Sequence, residues 1–248
     1  MRQIPFLCLA NSAREGGHCV AGIDLETHQW IRPVGRVGGR LSYHDVTIEG
    51  TRNQIRPFDT VLLTVGEATP EIGQPENSPS VIDIRMFRPL PAAMRQPRID
   101  LKKFLHSGPS LFEMTGVKND RVSHAQLKRN GPTNSLALLL LEDPEFLSEP
   151  GGRSRIKIPY GSKVHSLIVT DPTFRDREKR RGPWVVCVSL GSVFKDHHYG
   201  LVAMAVPLAE VPEKYSLANR NKPSSLAESA SALRGVLREW RTKKVRGT

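Results

Sequence analysis

Short apolar segments separated by turn-forming residues constrain the fold of this chain more than any other feature of its sequence. The opening stretch CLANSAREGGHCVAG begins at Cys8 and consists of two apolar runs around a polar Gly-Gly turn. The later stretches FDTVLLTVG, SLALLLLEDP, WVVCVSLG and HYGLVAMAVPL have the same character. Runs of this length, bounded by Gly, Pro, Asn and Asp, predict strands joined by short loops. We therefore expect a mainly all-β protein built from barrels or sandwiches.

The length of 248 residues allows one large domain or two small ones. Two parts of the chain resemble each other: each contains a strand, a polar break and a second strand. They are FLCLANS followed by HCVAGI, and VVCVSLG followed by HYGLVAM. Two similar barrels would produce this similarity, and so would chance. We predict a first barrel, an irregular connection with a short helix, a second barrel and a basic tail with a helix. In that order they occupy residues 1–90, 91–132, 133–212 and 213–248. The connecting helix would span 100–107, with Asp100 as its N-cap.

The formal net charge of the chain is +11, and its isoelectric point is near 9.9. A surface of this charge attracts polyanions, with nucleic acid the first expectation and an anionic membrane or an acidic protein the second. No apolar run reaches the ~20 residues that cross a bilayer, and no secretory signal follows Arg2. We therefore expect a cytoplasmic protein without a membrane partner.

Signatures of metal sites and of catalysis are sparse. The cysteines lie far apart without a Cys-x-x-Cys pair, which argues against a disulfide framework and a zinc site. No G-x-S-x-G or H-E-x-x-H motif is present. Asp120, Asp171 and Asp176 could form a metal-binding acid set, but their spacing does not require one. We expect no metal and no cofactor, and an enzyme acting through Asp120 and Asp171 is the alternative.

The turn NSAREGGH is not a phosphate-binding loop of the Walker type. Its glycines are adjacent, no Gly-Lys-Ser/Thr follows, and the next apolar run predicts a strand rather than a helix. It is predicted to be a hairpin turn in which Asn11, Ser12 and Arg14 can present polar groups to a ligand. In the following segment WIRPV, Trp30 could stack on a base and Arg32 could pair with a phosphate. A core tryptophan beside an edge arginine is the interpretation that this segment alone favours.

The densest group of charges lies in TDPTFRDREKRRGPW, residues 170–184. This stretch connects two predicted strands, and a positive loop beside a barrel is suited to holding backbone phosphates. A solvated connection would have a similar sequence. The predicted phosphate contacts are Arg175, Arg177, Arg180 and Arg181.

The tail predicts an amphipathic helix that begins with the capping-box pattern Ser225-x-x-Glu228. Its apolar stripe consists of Leu226, Ala230, Leu233, Leu237 and Trp240. Its C-terminal half carries Arg234, Arg238, Arg241, Lys243, Lys244 and Arg246. Docking on a barrel is the favoured interpretation, while self-association, a protein partner at 224–245 and phosphate contact remain open.

Several short motifs in a fixed order resemble those of the bacterial dual-OB-domain proteins. They are the opening CLANS segment, WIRPV, QPEN at 74–77, NDRV at 119–122, VTDP at 169–172 and VCVSLG followed by HYGLVAMAV, together spanning roughly residues 4 to 206. The resemblance implies two OB-fold barrels and nucleic-acid recognition, often within defence or mobile-element systems. It marks as motif positions Asn11, Ser12, Arg14, Trp30, Arg32, Gln74, Glu76, Asn119, Asp120 and Arg121.

These observations together predict a protein of two OB-like barrels with short connecting helices and a C-terminal basic helix. We expect it to bind DNA or RNA without catalysis, as the recognition component of a larger system. Arg14, Arg32 and Arg121 are expected to converge on one face with the 175–181 loop. A protein-interaction module that docks through the tail is the remaining alternative.

Overall fold

The computed structural model describes residues 1–14, 16–35, 39–80, 85–91, 99–113, 120–132, 134–215 and 217. Within these ranges, the side chains of Arg14, Glu113 and Asp176 are not described. Asn119 and the predicted tail helix lie outside the described residues. The chain divides into two units, Met1–Pro97 with Phe104–Val211, and Arg98–Lys103 with Pro212–Thr248. Both sheets belong to the first of these units.

Among the described residues, the first sheet has six strands. They are β1 (Arg2–Arg14), β2 (Gly17–Asp24), β3 (Trp30–Val34), β4 (Thr60–Val65), β5 (Asn77–Pro79) and β6 (Phe87–Pro89). Their order in the sheet is β5-β3-β2-β1-β4-β6. Strand β1 pairs with both β2 and β4, and its register with β2 shifts between Cys8 and Ala10. Because such a bulge bends a strand, β1 can follow the curl of the sheet around a core that includes Phe6, Leu63 and Phe87.

The second sheet, within the part of the chain that the structure describes, has seven strands. They are β7 (Arg121–Ser123), β8 (Leu136–Glu142), β9 (Glu145–Glu149), β10 (Arg153–Tyr160), β11 (Lys163–Val169), β12 (Pro183–Leu190) and β13 (His197–Pro207). Six of them follow the order β8-β12-β13-β11-β10-β9, while β7 pairs with β13. Trp184 is fully buried in the core of this sheet. The Phe146 and Phe174 rings pack against the Trp184 ring, with centroids 4.8 and 6.0 Å away. Each sheet thus has its own apolar core.

Short helical elements connect and flank the strands. A 3-10 helix covers Leu101–Phe104, and the Asp100 carboxylate accepts a hydrogen bond from the Lys102 amide at 3.1 Å. The α-helix α1 (His124–Arg129) follows β7 directly, and the hydroxyl of its N-cap, Ser123, accepts from the Gln126 amide. Further 3-10 helices cover Leu111–Glu113, Phe174–Asp176, Leu208–Glu210 and Glu213–Tyr215. Strand β7 and helix α1 lie within the segment 91–132 that the sequence predicts as an irregular connection. Strand β7 nevertheless belongs to the second sheet, because it pairs with β13.

The two segments that resemble each other in sequence form corresponding strand pairs. β1 pairs with β2, β12 pairs with β13, and both pairs are antiparallel. The register shifts between Cys8 and Ala10 in the first pair and between Cys187 and Val188 in the second. A bulge therefore lies beside a buried cysteine in each sheet. The predominantly β fold expected from the sequence is confirmed, and both sheets curl into half-barrels.

Candidate functional site

Arg32 lies at the junction between the two barrels rather than on an open surface. Its amide donates to the Glu76 carbonyl at 3.0 Å where β3 and β5 begin their parallel pairing. The residue is only 5% exposed. Its Nη2 donates to the hydroxyls of Ser135 at 2.7 Å and Ser189 at 3.1 Å. Because Ser135 precedes β8 and Ser189 is in β12, one side chain of the first barrel joins two strands of the second.

Glu76 and Gln74 extend this junction. The Ser135 hydroxyl donates to Glu76 Oε2 at 2.8 Å, and the Ser135 amide donates to Glu76 Oε1. Gln74 Nε2 donates to the Leu190 carbonyl at 3.0 Å. All of these groups are buried, and a buried charge is tolerated only where hydrogen bonds and an opposite charge compensate for lost water. We call Arg32, Gln74, Glu76, Ser135 and Ser189 the inter-barrel network.

The charges of the inter-barrel network shift the pKa of the Cys187 thiol. Burial raises its pKa to about 12, while Arg32 opposes the increase and Glu76 adds to it. Burial also raises the pKa of Cys8 well above its ordinary value. Both thiols are therefore neutral at physiological pH and act as small apolar side chains.

The polar residues of the first hairpin bind within their own barrel. Asn11 Nδ2 donates to the Ile55 carbonyl at 2.7 Å, and Asn11 Oδ1 lies 2.9 Å from Nδ1 of His18. Burial lowers the pKa of His18. Ser12 is buried, and its hydroxyl donates to the Cys19 carbonyl at 3.4 Å. These contacts stabilise the hairpin and leave Asn11 and Ser12 little capacity for a ligand.

The end of β1 approaches the basic 170–181 segment, because the Ala13 amide donates to the Thr170 carbonyl at 2.9 Å. Trp30, at the start of β3, is partly exposed and pairs with Ile23 of β2. This contact lies at Thr170, ahead of the 175–181 loop, so the convergence of Arg14 with that loop stays a prediction. The guanidinium of Arg32 lies in the inter-barrel network instead.

Two of the four predicted phosphate contacts in the 175–181 segment are engaged within the protein. Arg175 Nη2 donates to the Gly152 carbonyl, and Arg177 Nε donates to Glu210 at 2.9 Å. Arg180 lies 3.8 Å from Glu210, but its side chain is 67% exposed. Arg181 is also exposed. Arg180 and Arg181 are therefore the members of this segment best placed to reach a phosphate.

Asp120 and Asp171 belong to separate networks. Asp120 pairs with Arg155 at 3.3 Å, and its carbonyl accepts from the Gly200 amide. Asp171 accepts from the Ala205 amide at 3.0 Å. Gly200 and Ala205 are five positions apart in β13, which corresponds to about 16 Å along a strand. Within the described ranges, no three His, Cys, Asp or Glu side chains form a group that could hold a metal ion.

The connection between β12 and β13 forms a tight turn that carries exposed aromatic and basic side chains. Phe194 and His197 exchange backbone hydrogen bonds of 2.8 and 3.0 Å. The two residues between them, Lys195 and Asp196, have φ of 47° and 62°. Two central residues with positive φ are the requirement of a type I′ hairpin turn, which Asn-Gly usually supplies. Here a lysine and an aspartate adopt that backbone conformation.

Phe194 is 61% exposed, and the centroids of its ring and the Tyr199 ring lie 6.4 Å apart. Lys195 Nζ lies 5.4 Å from the centre of the Phe194 ring. Arg121, directly opposite Tyr199 in the β7–β13 pair, has its guanidinium 5.4 Å from the Tyr199 ring. We call Arg121, Phe194, Lys195, His197 and Tyr199 the aromatic turn. Of these five residues, the sequence predicts only Arg121 as a contact, because nothing in SVFKDHHYG indicates that Phe194 is exposed.

His198 and His124 anchor the base of this turn. His198 Nδ1 donates to the Gly191 carbonyl at 2.9 Å, so Nε2 of the neutral ring accepts from His124 Nδ1, also at 2.9 Å. Burial lowers the pKa of His198, the Gly191 hydrogen bond opposes this, and His124 lowers it further. The His124 amide also donates to the Asp196 carbonyl at 2.8 Å. The start of α1 thus fixes the position of the turn.

Two curled sheets with separate cores, joined by buried polar side chains, define a protein of two consecutive OB-like barrels. The family model of the dual OB-containing domain matches residues 4–205, and the chain belongs to this family. No curated protein matches the chain. OB-fold domains as a class bind oligonucleotides and oligosaccharides. Among the described residues, no helix is both long enough and apolar enough to span a bilayer.

Proposed function

We propose that the chain is a non-catalytic nucleic-acid-binding protein and that its second barrel carries the principal contact surface. The observation that carries the proposal is the aromatic turn, where the exposed Phe194 ring and the partly exposed Tyr199 ring lie beside the cations of Lys195 and Arg121. Aromatic platforms next to positive charge are the means by which OB folds hold single strands. The formal net charge of +11 supports attraction to a polyanion.

The burial of three motif residues supports a role other than direct contact with nucleic acid. Arg32, Gln74 and Glu76 connect the two barrels through the inter-barrel network. We propose that they fix the relative placement of the barrels so that surfaces on both can contact one strand. Their direct contact with nucleic acid stays a prediction, as it does for Asn11, Ser12, Arg14, Trp30, Asn119 and Asp120.

Within the basic segment, we propose Arg180 and Arg181 as phosphate contacts because their side chains are exposed. Arg175 and Arg177 would have to leave their partners at Gly152 and Glu210 to take the same role. The cytoplasmic location, the wider defence or mobile-element system and the protein partner at 224–245 stay predictions.

Binding of labelled oligonucleotides to the full chain tests this function. Fluorescence anisotropy is measured with single- and double-stranded DNA and RNA between 50 and 200 mM salt. A second protein has the six basic residues between positions 234 and 246 replaced by Gln. We expect salt-dependent binding that the tail-neutralised protein retains in large part. Lack of binding at ~100 µM protein, which is the weak limit of non-specific association, would contradict the proposal. Binding that disappears with the tail charges would also contradict it.

A further inference from the structure

The aromatic turn combines two features that are unfavourable for the free protein. Phe194 is 61% exposed and its neighbour Val193 is 50% exposed, although side chains of this size are usually buried. Lys195 and Asp196 adopt positive φ, a backbone conformation that is unfavourable for lysine and better tolerated by aspartate. Backbone strain of this kind concentrates at ligand-binding sites, where the surrounding structure imposes it.

We infer that the aromatic turn binds unpaired bases of a single-stranded nucleic acid. This inference rests on the proposed function and specifies its ligand. The exposed Phe194 ring offers a face on which a base can stack, and the Tyr199 ring beside it is partly exposed. The cations of Lys195 and Arg121 lie 5.4 Å from the centres of the Phe194 and Tyr199 rings, on the ring faces, where they can also hold phosphates. Bases within a duplex expose only their edges in the grooves, since neighbouring bases cover their faces. A duplex therefore cannot use the Phe194 ring as an unpaired strand can.

Positive charge alone does not account for the binding expected at the aromatic turn. Asp120 lies 3.4 Å from the Arg121 guanidinium and offsets part of its charge. Asp196 follows Lys195 directly in the turn and adds a negative charge there. Stacking must then supply most of the preference for unpaired bases, with phosphate attraction adding affinity. Neither stacking nor phosphate contact senses the 2′-hydroxyl, so single-stranded DNA and RNA are expected to bind within a few-fold of each other.

The test compares substitutions of exposed aromatic residues in the full chain. Anisotropy is measured with a thymidine 12-mer, a uridine 12-mer and a 12-base-pair duplex. Wild type is compared with Phe194→Ala, Phe194→Trp and Tyr43→Ala. Tyr43 is 63% exposed on the first barrel and serves as the matched control. Because Phe194 is largely exposed, its replacement should leave the circular dichroism spectrum unchanged.

We expect wild type to bind the single strands more tightly than the duplex. Phe194→Ala should weaken single-strand binding about 5- to 150-fold, the range found when one stacking ring is removed. Phe194→Trp should restore it, and Tyr43→Ala should leave it unchanged. Equal affinity for duplex and single strand, or no loss in Phe194→Ala, would overturn the inference, while non-catalytic nucleic-acid binding by the chain would still stand. No binding to any of the oligonucleotides would overturn both.

Discussion

Arg32 places a positive charge at the junction of the two barrels, where water cannot solvate it. Ser135 compensates by accepting from Arg32 and donating to Glu76, so one hydroxyl links a buried cation to a buried carboxylate. Removing one partner of such a group leaves the other charge without compensation. The energetic importance of Arg32 therefore comes from its burial, whatever the ligand.

We predict that Arg32→Ala lowers the free energy of unfolding by about 3–5 kcal/mol, because Glu76 would lose the compensating charge. Urea denaturation followed by tryptophan fluorescence measures this loss. Arg88→Ala is the matched control, since Arg88 pairs with Glu49 at 2.6 Å on the surface with both side chains nearly half exposed. The control should lose no more than about 1 kcal/mol. Similar losses in both variants would contradict the structural role of Arg32.

The cysteines provide a second test at the residue scale. Because burial raises the pKa of Cys187 to about 12, its reactive thiolate is scarce in the folded protein at pH 8. Cys8 is equally buried, whereas Cys19 is partly exposed. We predict that iodoacetamide modifies Cys19 first and reaches Cys8 and Cys187 only after denaturation, as peptide mass spectrometry would show. Modification of Cys187 at the rate of Cys19 would contradict the burial.

The raised pKa of Cys187 also determines how the free energy of unfolding depends on pH. The unfolded thiol ionises near pH 8.5, while Cys187 in the folded protein keeps its proton to about pH 12. Above pH 8.5 the unfolded chain therefore binds fewer protons than the folded one. The stabilisation from this thiol is complete below that pH and is lost as the pH rises toward 12.

At the scale of elements, the backbone strain in the turn of the β12–β13 hairpin can be tested by substitution. The double substitution Lys195→Asn with Asp196→Gly supplies residues suited to a type I′ turn. We predict that it increases the free energy of unfolding by about 1–2 kcal/mol, because left-handed backbone is less costly for these residues. Single-strand binding should change little, since the substitutions remove the cation of Lys195 and the negative charge of Asp196 together and leave the Phe194 ring in place. Lys128→Asn in α1 is the control, and a lower denaturation midpoint for the turn variant would contradict the prediction.

Elements with long apolar runs could be predicted from the sequence, and those set by distant pairing could not. β1, β4, β8, β12 and β13 each contain such a run. The three residues of β7 have no periodicity of their own, and they form a strand because Arg121 pairs with Tyr199 of β13. Arg32 could not be recognised as a junction residue for the same reason. Its partners, Ser135 and Ser189, lie 103 and 157 residues away in the chain.

For the whole molecule, the positive charge predicts how affinity responds to salt. Replacing Arg180 and Arg181 with Gln removes two exposed cations of the second barrel. We expect the slope of log affinity against log salt to fall by about 1.4 for a single strand, or about 0.7 for each phosphate that is no longer neutralised. Arg52→Gln with Arg56→Gln removes two exposed cations of the first barrel as a control. An equal or larger change in that control would place the principal binding surface on the first barrel.

The most direct test of single-strand binding by the second barrel is photo-crosslinking of the full chain to a single strand that contains 5-iodouracil. Mass spectrometry then identifies the crosslinked residues, and this chemistry favours aromatic side chains in contact with the base. We predict crosslinks at Phe194 and Tyr199 of the second barrel. Crosslinks confined to the first barrel or to residues 218–248, or no crosslinks at a concentration that saturates binding, would contradict this prediction.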